Sequence, residues 1–221
     1  MEQNWIDKTI NKMIEERRNF FWDACVVLQV NEISGDYVEF GSYGGNSLSL
    51  AYEAIKLIGS PRRLWAFDSF QKLPEVTDPR DERWRLELDS NQGGVENFHA
   101  DCAKQGVPRD AYTAVEGYFA DTLPPLGSDG SPADLALVYV DCNMYSSTVT
   151  VFEFLAPRMK HGMIIAFDDY HLWSPNEVSG ERAALDEFLI ANPQWHFQPY
   201  REVHYSGVSF VVEHADRVQV K

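Results

Sequence analysis

Two apolar runs in the chain end in aspartate: LALVYVDC at residues 135–142 and MIIAFDD at residues 163–169. Short apolar runs of this kind are typical of parallel strands that are buried on both faces of a sheet. Ligands of open α/β sheets bind beyond the carboxyl ends of such strands. Asp141, Asp168 and Asp169 are therefore expected to converge on one point.

Three converging carboxylates repel one another unless a cation lies between them, and hard oxygen ligands suit Mg²⁺ or another divalent cation such as Ca²⁺. The alternative is that Asp168 and Asp169 are only turn or helix N-cap residues, which commonly follow a strand. We favour a metal site at Asp141, Asp168 and Asp169, because motifs upstream agree with it.

Outward from these runs, strand and helix patterns alternate along the chain. Strands are predicted at residues 36–40, 63–67, 112–116, 135–140, 163–167, 195–203 and 207–214, and helices at 4–30, 47–58, 95–105, 147–159 and 180–191. The last two strands are close enough for a hairpin, which adds an antiparallel edge to a parallel sheet. The pattern predicts one α/β domain over residues 1–221, a doubly wound three-layer sandwich. Residues 1–34 are expected to form N-terminal helices, of which the apolar stretch Phe20–Val30 is expected to pack on the sheet edge.

Residues 71–94 interrupt the alternation with charged and turn-forming residues and few apolar anchors. A structureless insertion of this length in a compact domain is usually a lid, a binding loop or a disordered segment. We expect a lid that is mobile without ligands. Trp84 within it either contacts the substrate or anchors the insertion to the body.

The formal net charge of −15 makes nucleic acid an unexpected partner, because binding it requires a basic track. An anionic membrane surface is an unexpected partner on the same ground. Cys25, Cys102 and Cys142 are widely spaced and suggest neither a disulfide framework nor a zinc site. The start MEQNWIDK lacks the pattern of a signal peptide, and no apolar run approaches the roughly 20 residues of a membrane span. A cytoplasmic protein is expected.

A glycine-rich turn, Glu39-Phe40-Gly41-Ser42-Tyr43-Gly44-Gly45, joins the first strand to a helix. Its glycines lack the GxGxxG spacing that holds a pyrophosphate, and Glu39 would repel one. Glu39 would instead favour a cation or an ammonium group. Asp68 ends the next strand, where an acid can accept hydrogen bonds from both ribose hydroxyls, unless it is only a cap or a loop acid. Together these features describe an adenosyl ligand without phosphate, which S-adenosylmethionine fits.

Five further motifs, spread over roughly residues 35–190, are VEFGSYGG (38–45), AFDSFQKLPE (66–75), EGYFADTLP (116–124), VDCNMYSST (140–148) and AFDDYH (166–171). In these motifs the chain resembles the class I S-adenosylmethionine-dependent O-methyltransferases, and among them the macrocin O-methyltransferase family, which methylates deoxysugars of macrolides and related natural products. The resemblance implies a Rossmann-like, seven-stranded sheet ending in an antiparallel hairpin. It also implies Mg²⁺ held by Asp141, Asp168 and Asp169. A more distant likeness is to catechol O-methyltransferases. The chain departs from the family at Asn143, where Asp-x-Asp-x-Tyr is usual.

These considerations predict methyl transfer from S-adenosylmethionine to a hydroxyl of a small molecule such as a natural-product sugar or a phenol. Asp141 or His171 would take the proton, although His171 could also be a solvent-facing loop residue. The residues expected to contact the donor are Glu39, Gly41, Ser42, Gly44, Ser47, Asp68, Ser69, Phe70, Glu116, Gly117, Tyr118, Asp121, Asp141 and Tyr145. Those expected to contact the acceptor are Tyr43, Trp84, Asn143, Tyr170 and Trp173. Other histidines, His204 among them, are assigned to structural or surface positions.

Two alternatives remain open from the sequence. A nicotinamide-dependent oxidoreductase would need the absent GxGxxG turn. An adenosyl-binding module without catalysis would fit the missing acid at Asn143. The protein is compatible with a homo-oligomer.

Overall fold

The computed structural model describes residues 2–87, 93–127 and 130–217 of the chain. Its centre is a seven-stranded sheet in the order β3-β2-β1-β4-β5-β7-β6. The strands are β1 Asp36–Phe40, β2 Leu64–Asp68, β3 Tyr112–Glu116, β4 Leu135–Val140, β5 Ile164–Phe167, β6 Trp195–Glu202 and β7 Val208–His214. Strands β1 to β5 pair in parallel, whereas β7 pairs antiparallel with both β5 and β6. The predicted doubly wound α/β fold with an antiparallel C-terminal hairpin is confirmed.

The helices are α1 Glu2–Val30, α2 Asn46–Ile58, α3 Val95–Lys104, α4 Phe119–Thr122, α5 Tyr145–Leu155 and α6 Gly180–Ala191. They cover both faces of the sheet. Two clusters of buried side chains form the hydrophobic core between the helices and the sheet. Within the described residues, no helix carries an apolar stretch that would cross a bilayer.

Strands β1 and β4 lie side by side although β2 and β3 come between them in the chain. The strand order therefore reverses at this pair, and crevices at such a reversal are where ligands of open α/β sheets bind. Every residue of β4 and of β5 is buried, which explains why both strands are continuous apolar runs without alternation. Their aspartates follow directly where the sheet ends.

Helix α1 packs on the middle of the sheet, so its prediction at the edge was wrong. Phe20, Phe21 and Leu28 have no exposed surface. The ring of Phe21 lies 5.2 Å from that of Tyr139 in β4 and 5.8 Å from that of Tyr37 in β1. These tyrosines give the central strands a broad apolar face, and a helix buries more area there than at an edge.

The first turns of α1 behave differently from its second half. The apolar side chains there are exposed, with Trp5 at 62% and Ile10 at 45%. The helix therefore joins the core only from Phe20 onward.

Candidate active site

A cleft of about 640 Å³ opens at the carboxyl ends of β1, β2, β4 and β5. It is lined by Arg17, Gly41, Tyr43, Asp68, Ser69, Lys72, Leu73, Pro74, Glu75, Thr77, Tyr118, Phe119, Ala120, Asp141, Cys142, Asn143, Ser146, Ser147, Thr150 and Asp168. The structure thus brings together eight residues predicted for the site, namely Gly41, Tyr43, Asp68, Ser69, Tyr118, Asp141, Asn143 and Asp168.

The backbone of the turn after β1 requires a glycine at position 41. The φ of Gly41 is +90°, and a Cβ there would lie 1.8 Å from the carbonyl oxygen of Asp141. The backbone N–H of Asp141 also donates to Phe40 O at 2.8 Å. Only glycine lets the ends of β1 and β4 approach this closely, so the glycine brings Asp141 to the turn after β1.

Asp68 ties the loops after β1 and β2 together. Its Oδ2 accepts backbone hydrogen bonds from Ser42 at 2.7 Å and Tyr43 at 3.0 Å, and its Oδ1 accepts one from Phe70 at 2.8 Å. A carboxylate offers about four lone-pair positions, so Oδ1 can still accept a hydrogen bond from a ligand hydroxyl. Asp68 is therefore both an organiser of the loops and a candidate ligand contact.

Three residues of the loops after β1, β2 and β4 adopt left-handed backbone conformations: Tyr43 with φ 33°, Phe70 with φ 53° and Asn143 with φ 61°. This conformation is uncommon for residues other than glycine and tends to cluster at functional sites. Asparagine tolerates it better than most residues, which gives a backbone reason for Asn143. Phe70 turns its ring into the core, 4.7 Å from the ring of Phe98, and not into the cleft.

Glu39 is fully buried behind the glycine-rich turn. The Tyr37 hydroxyl donates to its Oε2 at 2.6 Å, whereas Oε1 has no hydrogen-bond partner among the described residues. Burial raises the pKa of Glu39 from 4.5 to about 7, although the hydrogen bond from Tyr37 opposes the shift. The group is thus a buried acceptor that a nearby cation would help to ionise.

The carboxylates of Asp141, Asp168 and Asp169 place one ligand oxygen each within 4.8 Å of one another. Burial and the charges of Asp168 and Asp169 raise the pKa of Asp141 well above its ordinary range. Three carboxylates with this spacing fit a hard divalent cation, because they supply several oxygen ligands. The described side chains around them carry too little positive charge to neutralise three carboxylates.

Glu181, at the start of α6, is a fourth buried carboxyl that sequence reasoning missed. Its Oε2 accepts from the backbone N–H of Asp169 at 2.9 Å and its Oε1 from that of Cys142 at 3.4 Å. Burial and the charges of Asp169 and Asp141 raise its pKa well above the usual value. One side chain thus joins the two loops that carry the cluster. The preceding Gly180 lets α6 approach, since a Cβ there would lie 2.5 Å from the backbone nitrogen of Tyr145.

Asp168 is held by partners that the sequence did not indicate. Arg17 of α1 donates to it twice, from Nε to Oδ1 at 3.1 Å and from Nη2 to Oδ2 at 2.5 Å. His204 Nε2 lies 2.8 Å from Oδ1, and the Tyr139 hydroxyl donates to the same oxygen. Despite burial, which opposes ionisation, His204 and Arg17 hold the pKa of Asp168 below its ordinary value. The spacing along α1 could have indicated Arg17. It lies three and four residues before the buried Phe20 and Phe21, and residues at this spacing share one face of a helix.

The insertion is anchored by a polar contact. Asp81 has no exposed surface, and its Oδ1 and Oδ2 accept from the backbone N–H groups of Tyr145 at 2.6 Å and Ser146 at 3.1 Å. It therefore caps α5, whose first turn lines the cleft, while residues 72–77 supply part of a cleft wall. The described residues 71–87 are thus more firmly anchored than their few apolar residues suggested, and a lid that is mobile without ligands stays a prediction. Residues 88–92 of the predicted lid lie outside the described residues.

Other predicted contacts lie outside the cleft lining. Trp84 is only 6% exposed and does not line the cleft, which agrees with the second of its two predicted roles, that of anchoring the insertion. Tyr145 points to Glu187, to which its hydroxyl donates at 2.5 Å. His171 packs its ring against Tyr170 and Trp173. The further residues that do not line the cleft are Glu39, Ser42, Gly44, Ser47, Phe70, Glu116, Gly117, Asp121 and Asp169. Trp173 itself is 60% exposed.

Comparison with known protein families matched residues 4–208 to the family model described as macrocin-O-methyltransferase. Curated relatives were also found. The 8-demethyl-8-(2,3-dimethoxy-alpha-L-rhamnosyl)-tetracenomycin-C 4'-O-methyltransferase of Streptomyces olivaceus is 32% identical over 145 residues, covering 62% of this chain and 54% of that enzyme. The mycinamicin III 3''-O-methyltransferase of Micromonospora griseorubida is 27% identical over 146 residues, covering 62% and 56%. The chain thus matches little more than half the length of these relatives.

Among solved structures, the O-methyltransferase NovP superposes with a TM-score of 0.75 at 22% identity. The superposition covers 89% of this chain and 79% of NovP. At this identity the likeness concerns the fold.

Proposed function

The chain belongs to the macrocin O-methyltransferase family, and from that premise we propose that it transfers a methyl group from S-adenosylmethionine to a hydroxyl of a natural-product sugar. One observation carries the proposal: Asp141 and Asp168 of the carboxylate cluster line the same cleft as the loops at Gly41 and Asp68. A donor at those loops would present its methyl group toward an acceptor oxygen at the cluster. The name of one relative specifies 4'-O-methylation of a rhamnosyl-bearing tetracenomycin, and that of the other specifies 3''-O-methylation of mycinamicin III.

The donor is assigned to the half of the cleft formed by the loops after β1, β2 and β3. Oδ1 of Asp68 would accept a hydrogen bond from the ribose, and Tyr118 and Phe119 would flank the adenine. The unpartnered Oε1 of Glu39 lies behind the turn, where it would attract the ammonium or sulfonium charge of the donor.

Asp141, Asp168 and Asp169 would hold Mg²⁺, which when bound lowers the pKa of an acceptor hydroxyl. Asp141 is assigned as the proton acceptor, because its carboxylate lines the cleft at the cluster. His171 loses this role, since it lies outside the lining. The walls of the cleft orient the two substrates, which supplies much of the expected rate enhancement.

The acceptor is assigned to the polar wall formed by Asn143, Ser146 and Thr150 on one side and residues 72–77 on the other. Amide and hydroxyl groups suit a sugar, because they can donate and accept hydrogen bonds alike. These residues replace Trp84, Tyr170 and Trp173 as the proposed acceptor contacts.

The test has two stages. S-adenosylhomocysteine should raise the melting temperature of the protein, because a ligand that binds only the native state stabilises it, while NAD should not. Transfer of radiolabelled methyl to a panel of deoxysugar glycosides, beginning with rhamnosides, should then be lost in Asp141→Asn. A shift with NAD alone would overturn the donor assignment. Donor binding without transfer to any sugar would favour a non-catalytic adenosyl-binding module.

A further inference from the structure

We propose that Arg17 is a resident cation of the carboxylate cluster and competes there with a divalent metal ion. Through Arg17 the N-terminal part of α1 would sense whether the metal is bound. The inference rests on the metal site proposed above. It concerns Arg17 of α1, whereas the three carboxylates of the cluster follow strands β4 and β5.

The first step is the contact geometry. Arg17 is fixed on Asp168 by two parallel hydrogen bonds at 3.1 and 2.5 Å, and its side chain is only 12% exposed. Bidentate guanidinium–carboxylate pairs of this kind are strong and rigid. Arg17 nevertheless lines the cleft together with Asp141. Its charge thus lies at the cluster in a fixed position.

The second step concerns the oxygens left for a metal. Oδ1 of Asp168 already accepts from Arg17, His204 and Tyr139, more than the two lone pairs of a carboxylate oxygen. Only Oδ2 can then ligate an ion, and it accepts from Nη2 of Arg17 at 2.5 Å. With a metal–oxygen distance of about 2.1 Å, an ion on Oδ2 would lie at most about 5 Å from that nitrogen.

The third step is the charge balance. Among the residues that the structure describes, four carboxyl groups, those of Asp141, Asp168, Asp169 and Glu181, lie near one permanently charged cation, Arg17. The carboxyl oxygens that Arg17 does not contact remain available to a divalent ion, which would favour the ionised form of each group it binds. A guanidinium within about 5 Å would repel that ion, and the repulsion is strong where the surroundings are partly buried. Arg17 therefore lowers the affinity of the cluster for a metal ion. In the absence of metal, its positive charge stabilises the ionised Asp168.

The fourth step links the competition to α1. Phe20 and the residues after it lie in the core, whereas Trp5, Ile10 and Ile14 before it are exposed. Arg17 is the inward contact just before Phe20. Coupling between two equilibria is reciprocal, so an ion that weakens the Arg17–Asp168 pair also loosens the helix that carries Arg17.

The principal experiment measures Mn²⁺ affinity by titration calorimetry for the wild type and Arg17→Gln. We expect the Kd of Arg17→Gln to fall at least about tenfold, which corresponds to about 1.4 kcal/mol. The matched control is Arg18→Gln, the same change one residue later, because Arg18 is exposed and pairs with Glu53 of α2. Its Kd should equal that of the wild type. An unchanged or higher Kd in Arg17→Gln would overturn the inference.

A second measurement uses only the wild type, in case Arg17→Gln does not fold. Hydrogen exchange of the amides of residues 10–18 should be faster with saturating Mn²⁺ than in chelator, and unchanged or slower exchange would overturn the inference. If wild type and variant both fail to bind Mn²⁺, the proposed metal site fails together with the inference. If the wild type binds and the variant binds no tighter, only the inference fails.

Discussion

Glu39 is a carboxylic acid with no exposed surface at the turn that carries Gly41. Its pKa is about 7 in the folded protein, raised from 4.5 by burial. Between these two pH values the native state binds more protons than the unfolded state, so stability should fall as pH rises from about 5 to 7. A shift of this size corresponds to a loss on the order of 3 kcal/mol.

The first prediction follows from that sign. Glu39→Gln cannot ionise and can still accept the hydrogen bond from Tyr37, so its stability relative to the wild type should increase with pH. Urea denaturation at pH 5 and pH 8 measures the difference, which should be larger at pH 8. A difference that is the same at both pH values would mean that Glu39 does not titrate in this range.

The second prediction concerns Asp68. Asp68→Ala should weaken binding of S-adenosylhomocysteine by roughly 1–3 kcal/mol, because a ribose contact is lost and three backbone N–H groups lose their acceptor. Asp121→Ala is the control, since this exposed acid does not line the cleft. Calorimetry of both variants decides the matter: equal affinities would remove Asp68 from the donor site.

At the level of elements, α5 is held at its first turn by a residue 64 positions earlier in the chain, Asp81. Asp81 lies in the short 3-10 helix Pro79–Glu87, which also contributes Arg80, placed 3.3 Å above the ring of Tyr145. The insertion and α5 thus form one unit at the edge of the cleft. Loosening one should expose the other.

The third prediction tests this unit. Asp81→Ala should lower the free energy of unfolding by about 1–2 kcal/mol, as loss of a helix cap does, and should speed tryptic cleavage at Arg80, Arg83 or Arg85. Glu82→Ala is the control, because Glu82 forms only an exposed pair with Arg85. If Asp81→Ala is cut no faster than Glu82→Ala, Trp84 alone suffices to hold the segment.

At the level of the whole molecule, α1 closes one face of the sheet at its central strands. The fourth prediction is that Phe21→Ala costs about 3–5 kcal/mol, because its ring fills the space between Tyr37 and Tyr139. Ile10→Ala on the same helix, where the side chain is exposed, should change stability by less than about 0.5 kcal/mol. Chemical denaturation compares them. A small loss in Phe21→Ala would mean that α1 docks weakly.

The sequence by itself determined the strands and the long helices, but not the short helix α4 or the 3-10 helix Pro79–Glu87. Periods of about two and 3.6 residues are local properties, so strands such as Leu135–Val140 and helices such as Gly180–Ala191 were predicted at their observed bounds. Parallel strands end at one edge of a sheet, which is why Asp141, Asp168 and Asp169 could be expected together before any coordinate was known.

Only the tertiary structure decided which distant side chains complete the cluster. Arg17 meets Asp168 across 151 positions of the chain, and His204 meets it across 36. Such contacts depend on where α1 docks on the sheet and on how the turn between β6 and β7 folds back. The periodicity of apolar residues along the sequence indicates neither of these arrangements. The same holds for Asp81, since the hydrogen bonds that anchor a polar segment have no hydrophobic pattern that would announce them in the sequence.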